Sequence, residues 1–278
     1  MTELGTTGPR NGGRPAWLAG LLAAALTGLV GCSGFDEFSW RKMNFEVFRD
    51  PPEPLAVIRS SKDGNERARA LRCLKEPSAN GGSQEDQDAV VAVLNYSAAH
   101  ETQPWCRLAA ISTLGRFRDP RAAEGLKEAY YRAGSFPPAT ATIIRRQAIT
   151  ALGETKNPAA VDLLVRVLRE PPVEGPDQDR QHKLDERIAA ARALGNFQQY
   201  QGTAALVETL RAAEKLKTED DVPLRNAAHE SLVNATGRNL PPESQAWAEL
   251  LHNPDSASRT ATAQNGFGDR FLQLTGLR

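Results

Sequence analysis

A three-residue signature recurs through the chain: an arginine, an alanine three residues later and a leucine four residues after that. It stands at five places: Arg67-Ala70-Leu74, Arg107-Ala110-Leu114, Arg145-Ala148-Leu152, Arg187-Ala190-Leu194 and Arg225-Ala228-Leu232. The intervals between successive arginines are 40, 38, 42 and 38 residues. A regular period of this length is typical of repeat proteins, in which each unit stacks only on its neighbours. The signature therefore predicts one supersecondary unit that is used five times.

The spacing within the signature predicts a helix, because it places the alanine and the leucine on one helical face. A glycine follows the leucine in three copies, at Gly115, Gly153 and Gly195. We expect these glycines to end the helix in the left-handed backbone conformation. The turns Asp119-Pro120 and Asn157-Pro158 then predict the start of another helix, with proline in its first turn and Asp or Asn as the cap.

The pattern resembles the bacterial HEAT-like repeats named after phycobilisome lyases, most closely over residues 107–126 and 145–168. The resemblance covers about 52–252 and implies an all-α fold, a right-handed α-solenoid of about five HEAT-like helix pairs. It also implies that the signature helix is the second of each pair and lines the concave surface. Such repeats serve many roles, so the resemblance indicates the fold rather than the function.

The predicted helices comprise five pairs and a closing helix that caps the last repeat. They are 53–60 with 65–75, 85–98 with 104–116, 120–133 with 139–154, 158–170 with 182–196, 202–215 with 222–235, and 242–252.

Residues 1–31 predict a lipoprotein signal peptide. Arg10 and Arg14 precede an uncharged run over 17–30, which is shorter than the roughly 20 residues of a membrane-spanning helix. The run leads into Leu29, Val30, Gly31 and Cys32. These residues resemble the lipobox of bacterial lipoproteins, which implies cleavage before Cys32 and lipid attachment to its sulfur. An ordinary signal peptide that is cleaved near a cysteine is the alternative.

Acyl chains on Cys32 would hold the protein to a bilayer, because each buried methylene contributes ~0.8 kcal/mol. Ser33 follows the cysteine where Gram-negative inner-membrane lipoproteins carry Asp, which resembles sorting to the outer membrane. The predicted location is therefore exported, lipid-anchored to the cell membrane or outer membrane, and facing the periplasm. The cleaved chain would carry 32 basic and 33 acidic residues, and this balance gives no argument for nucleic-acid binding.

Two flanking segments complete the predicted organisation. Residues 32–51 form a tether and an aromatic N-terminal cap that contains Phe35, Phe38, Trp40, Phe45 and Phe48. These rings either cover the open edge of the first repeat or contact the lipid interface. Residues 253–278 are predicted to be a flexible C-terminal tail.

Motifs for chemistry are absent from the sequence. The four histidines are scattered, and no HExxH, paired CxxC, GxSxG or phosphate-binding glycine loop occurs. We therefore predict no metal, no cofactor and no catalysis. Cys73 and Cys106 are predicted to be two separate, mostly buried thiols, because their helical positions differ by about 10 Å along the axis, beyond disulfide reach.

The predicted second helices are rich in arginine. The candidate groove residues are Arg67, Arg69, Arg72, Arg107, Arg145, Arg146, Arg187 and Arg192. The signature arginines have a structural interpretation, a ladder in which each pairs with a turn aspartate, as Asp63 could with Arg67 and Asp221 with Arg225. The functional interpretation is a basic groove that attracts an acidic partner. These residues predict a non-catalytic protein-binding scaffold, with a structural link between membrane and cell wall as the alternative and an enzyme subunit third.

Overall fold

The computed structural model describes residues 53–173, 175–216 and 221–252. The regular structure of these ranges is entirely helical. Its α-helices are α1 (Pro54–Ser60), α2 (Gly64–Cys73), α3 (Gln84–His100), α4 (Pro104–Gly115), α5 (Pro120–Arg132), α6 (Pro138–Thr155), α7 (Val161–Arg169), α8 (Asp177–Leu194), α9 (Tyr200–Leu216), α10 (Asp221–Thr236) and α11 (Ser244–His252). Short 3₁₀ turns lie at Ser78–Asn80, Ala133–Ser135 and Pro158–Ala160.

The five predicted helix pairs and the closing helix are all present. The largest difference is at α8, which begins at Asp177 instead of near residue 182. The signal segment, the lipobox, the aromatic segment and the C-terminal tail all fall outside the described residues. Among the helices that are described, none combines the length and the apolar character that crossing a membrane would require.

The helices form two layers. The signature helices α2, α4, α6, α8 and α10 pack on one another in this order and form the second layer. The other layer, called the first layer, consists of α3, α5, α7, α9 and α11. Successive helices of this layer also contact one another, except that α5 contacts the 3₁₀ turn before α7. Within each repeat, the first helix packs on the second, beginning with α1 on α2. The chain is thus an all-α solenoid, as predicted.

The signature alanines and leucines are buried in all five repeats. All of them except Ala70 belong to one continuous apolar core that runs between the two layers. Burial of a leucine side chain contributes about 2 kcal/mol, so the recurring leucine supplies much of the cohesion between helices. The signature therefore marks core positions of the second layer.

The repeat glycines have a different role from the predicted one. Gly195 has a φ of −61°, and neither Gly115 nor Gly153 has a positive φ. A Cβ atom on Gly153 would lie 2.9 Å from Cα of Ala193, and one on Gly195 would lie 3.0 Å from Cα of Ser231. The prediction of a left-handed helix end was therefore wrong, because these glycines allow adjacent second-layer helices to approach closely.

The predicted caps are confirmed. The side chain of Asp119 accepts a hydrogen bond from the Arg121 amide at 2.9 Å, and Asn157 accepts one from the Ala159 amide at 3.0 Å. At the C-terminal end, α11 packs on α9, and Trp247 of this helix is only 1 % exposed. The closing helix thus covers the end of the core with a large aromatic side chain.

Both described cysteines are free, as predicted. Cys106 is buried, and its thiol donates to the carbonyl of Gly64 at 3.2 Å. Cys73 is exposed, so the prediction of a buried thiol was wrong there. It is the last residue of α2, where the helix no longer faces the core.

Candidate binding surface of the second layer

The first signature arginine links two repeats. Arg67 donates from Nε and Nη2 to the two carboxylate oxygens of Glu101, both at 3.1 Å, and from Nη1 to the carbonyl of Ser61. The hydrogen bond to Glu101 raises the pKa of Arg67. Asp63 caps α2 through the Asn65 amide instead of pairing with Arg67, so that predicted ladder step was wrong. The side chain of Asp221 lies outside the described set.

Arg107 also binds Glu101, the partner of Arg67: its Nε donates to the Glu101 carbonyl at 2.7 Å. Arg107 is 4 % exposed, donates to the carbonyl of Arg132 at 3.0 Å and lies over the ring of Phe136. Burial lowers its pKa. The arginine therefore joins the connection between α3 and α4 of its own repeat to the end of α5 in the next repeat.

The next two signature arginines also contact neighbouring segments. Arg187 donates from Nε to the carbonyl of Leu168 at 3.1 Å. Arg145 lies 3.6 Å from the carboxylate of Glu186 in the following repeat. These four signature arginines therefore join repeats and loops, which leaves them less able to meet a ligand than the exposed arginines.

Among the described residues, the exposed arginines at the N-terminal end of the second layer have no acidic partner. Arg69 and Arg72 on α2 are exposed, and within the described ranges no acidic side chain pairs with either. Arg116 is also exposed and donates to the carbonyl of Arg72 at 3.2 Å. We call Arg69, Arg72 and Arg116 the basic cluster. Arg116 is not among the candidate groove residues, although it is the last residue of the predicted helix 104–116.

The surface further along the layer carries both charges. Arg146 pairs with Asp185 at 3.0 Å, whereas Arg192 is exposed. These residues line an open groove of about 710 Å³ between α6 and α8, with further lining from Ile143, Gln147, Thr150, Glu154, Ile188, Ala189, Ala193 and Asn196. The basic surface therefore does not continue uniformly along the second layer.

Exposed apolar side chains add to this surface. Trp105 on α4 is 63 % exposed and Ile143 on α6 is 53 % exposed. Both stand two residues before the signature arginine, so they occupy equivalent places in adjacent repeats. Trp and Arg are enriched among the residues that dominate protein–protein binding energy. An argument from charge alone missed these two residues, although alignment to the signature arginine could have found them.

The exterior of the first layer has most of its charges paired. Arg121 pairs with Asp88 at 2.7 Å, and Arg169 pairs with Glu208 at 2.9 Å. Both pairs connect helices of adjacent repeats. The basic cluster differs from these pairs, because none of its three arginines forms an ion pair within the described residues.

The described residues contain no group of three or more His, Cys, Asp or Glu side chains that could hold a metal ion. His229 is half-buried, with Nε2 at 2.7 Å from the carbonyl of Leu240 and its ring edge-on to Trp247. Packing and one backbone contact account for this histidine.

Comparison with protein families identifies two matches. Residues 51–135 match the family of HEAT repeats, and residues 144–170 match the PBS lyase HEAT-like repeat. Neither the curated proteins nor the solved structures contain a significant match to this chain. The predicted HEAT repeats are thereby confirmed, and repeats of this class support an interaction scaffold.

Proposed function

We propose that this HEAT-repeat chain is a non-catalytic protein-binding scaffold that a lipid on Cys32 holds at an envelope membrane. The basic cluster and Trp105 would form the contact surface for an acidic partner protein. The anchor would place that surface at the periplasmic side of the cell membrane or the outer membrane. The proposal combines a binding surface on the second layer with a tether that begins at Cys32, 22 residues before α1 starts at Pro54.

The single observation that carries the proposal is the unpaired charge of the basic cluster. Three exposed arginines lie together on α2 and at the end of α4, whereas first-layer arginines are largely paired. Like charges at this spacing destabilise the folded chain slightly, so an unpaired cluster of this kind favours a role in attraction. An acidic surface would be steered to this cluster and would relieve its repulsion.

The tether contributes through local concentration. A protein held on a membrane meets other envelope proteins at a far higher effective concentration than a free protein does. The short uncharged run and the residues before Cys32 support lipid attachment at this position. A scaffold of modest intrinsic affinity could therefore act effectively.

The test of the binding surface is crosslinked capture of the tagged full chain from detergent-solubilised envelopes, with mass spectrometry of the recovered proteins. Arg69→Glu with Arg72→Glu reverses two charges of the basic cluster. Arg211→Glu with Lys215→Glu makes the same change on exposed residues of α9 in the first layer. We expect an acidic protein that is recovered with the wild type and the α9 variant and is lost with the α2 variant.

Two results would overturn this proposal. Recovery of the chain alone would contradict the proposed interaction with a partner protein. Recovery of insoluble wall material after detergent extraction would instead favour the structural link between membrane and wall.

The test of the anchor is metabolic labelling with a palmitate analogue. Cys32→Ser should lose the label and leave the membrane fraction, whereas Cys73→Ser should keep both. A Cys32→Ser chain that still carries the label would disprove the assigned attachment site.

A further inference from the structure

The residue directly before the signature arginine is apolar and buried in three repeats. It is Cys106, Ile144 and Leu224 in repeats two, three and five. In repeat one the position holds Glu66, which is exposed. In repeat four it holds Glu186, which is buried, with 3 % exposure. A buried carboxylate costs several kcal/mol more than an apolar side chain unless it is well paired. Departures of this kind from a repeat pattern are expected at functional sites.

The partners of Glu186 leave one of its oxygens without a hydrogen bond. Arg145 Nη1 lies 3.6 Å from Oε1, and Lys183 Nζ lies 3.6 Å from Oε2. Both distances exceed those of a hydrogen bond. Lys183 is drawn instead to Glu170, with which it forms a closer ion pair. Within the part of the chain that the structure describes, Oε2 is buried and has no hydrogen-bond partner.

Glu186 lines a pocket of about 350 Å³ between the start of α6 and the start of α8. One wall is apolar and consists of Phe136, Pro138, Ala141 and Val173. Thr142 and His182 also line the pocket, and Asp179 contributes an exposed carboxylate. The site thus combines an apolar wall, suited to an aliphatic stem, with a buried acceptor.

The cations beside Glu186 only partly compensate its charge. The pocket lining holds two carboxylates, Glu186 and Asp179, and two permanent cations, Arg145 and Lys183. Lys183, however, forms its closer ion pair with Glu170, which lies outside the lining. Oε1 faces the guanidinium of Arg145, whereas Oε2 is the fully buried oxygen without a hydrogen bond, so the site offers one strong acceptor in place of the pair that a guanidinium fork prefers.

We propose that this pocket binds the side chain of a lysine from a partner protein. The aliphatic stem would lie against Phe136 and Val173, and the ammonium would donate to Oε2 of Glu186. Lysine side chains bury their stems in this way while they keep the ammonium paired. The inference rests on the proposed function only in taking the partner to be a protein.

The experiment is saturation-transfer NMR on the full chain in detergent micelles with a synthetic probe, N-acetyl-lysine methylamide. N-acetyl-norleucine methylamide, which has a similar stem and no ammonium, is the matched control probe. We expect signal from the lysine ε-methylene and little from norleucine. Glu186→Gln should weaken the lysine probe about tenfold, because a charge-assisted hydrogen bond is lost. Glu249→Gln, on the exposed face of α11, should leave binding unchanged.

A second variant protects the test against misfolding of Glu186→Gln. Val173 is exposed at the pocket, so Val173→Lys should fold normally and supply a lysine of its own that displaces the probe. Circular dichroism and the unfolding midpoint report folding for each variant.

Three outcomes would overturn the proposal. The first is equal binding of the lysine probe by the wild type and both pocket variants. The second is equal binding of the lysine and norleucine probes. The third is binding of pentylamine, tested as a further probe, without binding of the lysine derivative, which would indicate that the pocket takes a small amine. The test uses purified chain and a synthetic probe, so its failure is distinct from a failure to capture a partner through the basic cluster.

Discussion

Adjacent helices of the second layer approach closely at glycines and are also bridged by ion pairs such as Arg146–Asp185. In the first layer, polar side chains connect neighbouring helices. In the second layer, Gly153 of α6 faces Ala193 of α8, and Gly195 faces Ser231 of α10. In the first layer, Gln87 of α3 donates to Asp119 at the start of α5 at 2.9 Å, and Arg169 of α7 pairs with Glu208 of α9. The two layers therefore respond to different perturbations.

This difference explains where the repeat is visible in the sequence. Close approach requires small residues at fixed positions, so Ala and Gly recur in the second layer. Polar links can be made by many residue pairs, and the first layer uses a different pair at each step. Because cohesion of the second layer does not depend on its exposed charges, residues such as Arg69 and Arg72 remain available to a partner.

The largest effect is expected from Gly153→Ala. The added methyl group would lie 2.9 Å from both Cα and Cβ of Ala193, so α6 and α8 must separate. Overpacking of this kind should lower the free energy of unfolding by about 3 kcal/mol. Urea unfolding measures the change. Gly134→Ala, where the nearest atom would be 3.7 Å away, is the control and should change stability by less than about 0.5 kcal/mol. Similar losses for both variants would refute the close-approach argument.

A smaller, pH-dependent effect is expected at Asp119. Hydrogen bonds from Arg121 hold the pKa of this carboxyl well below its ordinary value, despite its partial burial. A lowered pKa in the folded state contributes stability above the unfolded pKa of about 3.9, and that stability is lost as the pH falls further. Asp119→Asn should therefore cost about 1 kcal/mol at pH 7, because the amide keeps the cap but loses the charge-assisted hydrogen bonds from Arg121, and the cost should shrink toward pH 2. Urea unfolding of the wild type and Asp119→Asn between pH 7 and pH 2 measures this cost. A cost that is constant with pH would contradict the prediction.

The smallest effect is expected at the surface pair of the first layer. Arg169→Gln breaks the contact with Glu208, in which both side chains are about half exposed. We expect a loss of about 0.5 kcal/mol that disappears in 1 M salt, because exposed ion pairs are screened. The loss from Gly153→Ala should persist in the same salt. If salt removed both losses, the distinction between the layers would fail.

Local features of the chain were predictable because their causes lie within a few residues. The signature spacing predicted the second helices, and the dipeptides Asp119-Pro120 and Asn157-Pro158 predicted capped helix starts. The bounds of most helices follow within a few residues, since capping and apolar periodicity act over one or two turns. The start of α8 was missed because its first turn is polar and shows no apolar stripe.

Contacts between repeats were not predictable from the local pattern. Arg67 has an aspartate four residues before it, yet it pairs with Glu101, which lies 34 residues away. Likewise, Glu186 occupies a buried position that repeats two, three and five fill with apolar residues, and only the approach of α6 makes its environment clear.

The sequence by itself determined the period, the helix pairs and the faces that enter the core, because these depend on residue spacing along one helix. The tertiary structure decided which arginines are tied to loops and which stay exposed, and that the glycines serve helix approach in place of helix termination. These outcomes depend on atoms that stacking brings together from residues about 40 positions apart, where one repeat meets the next.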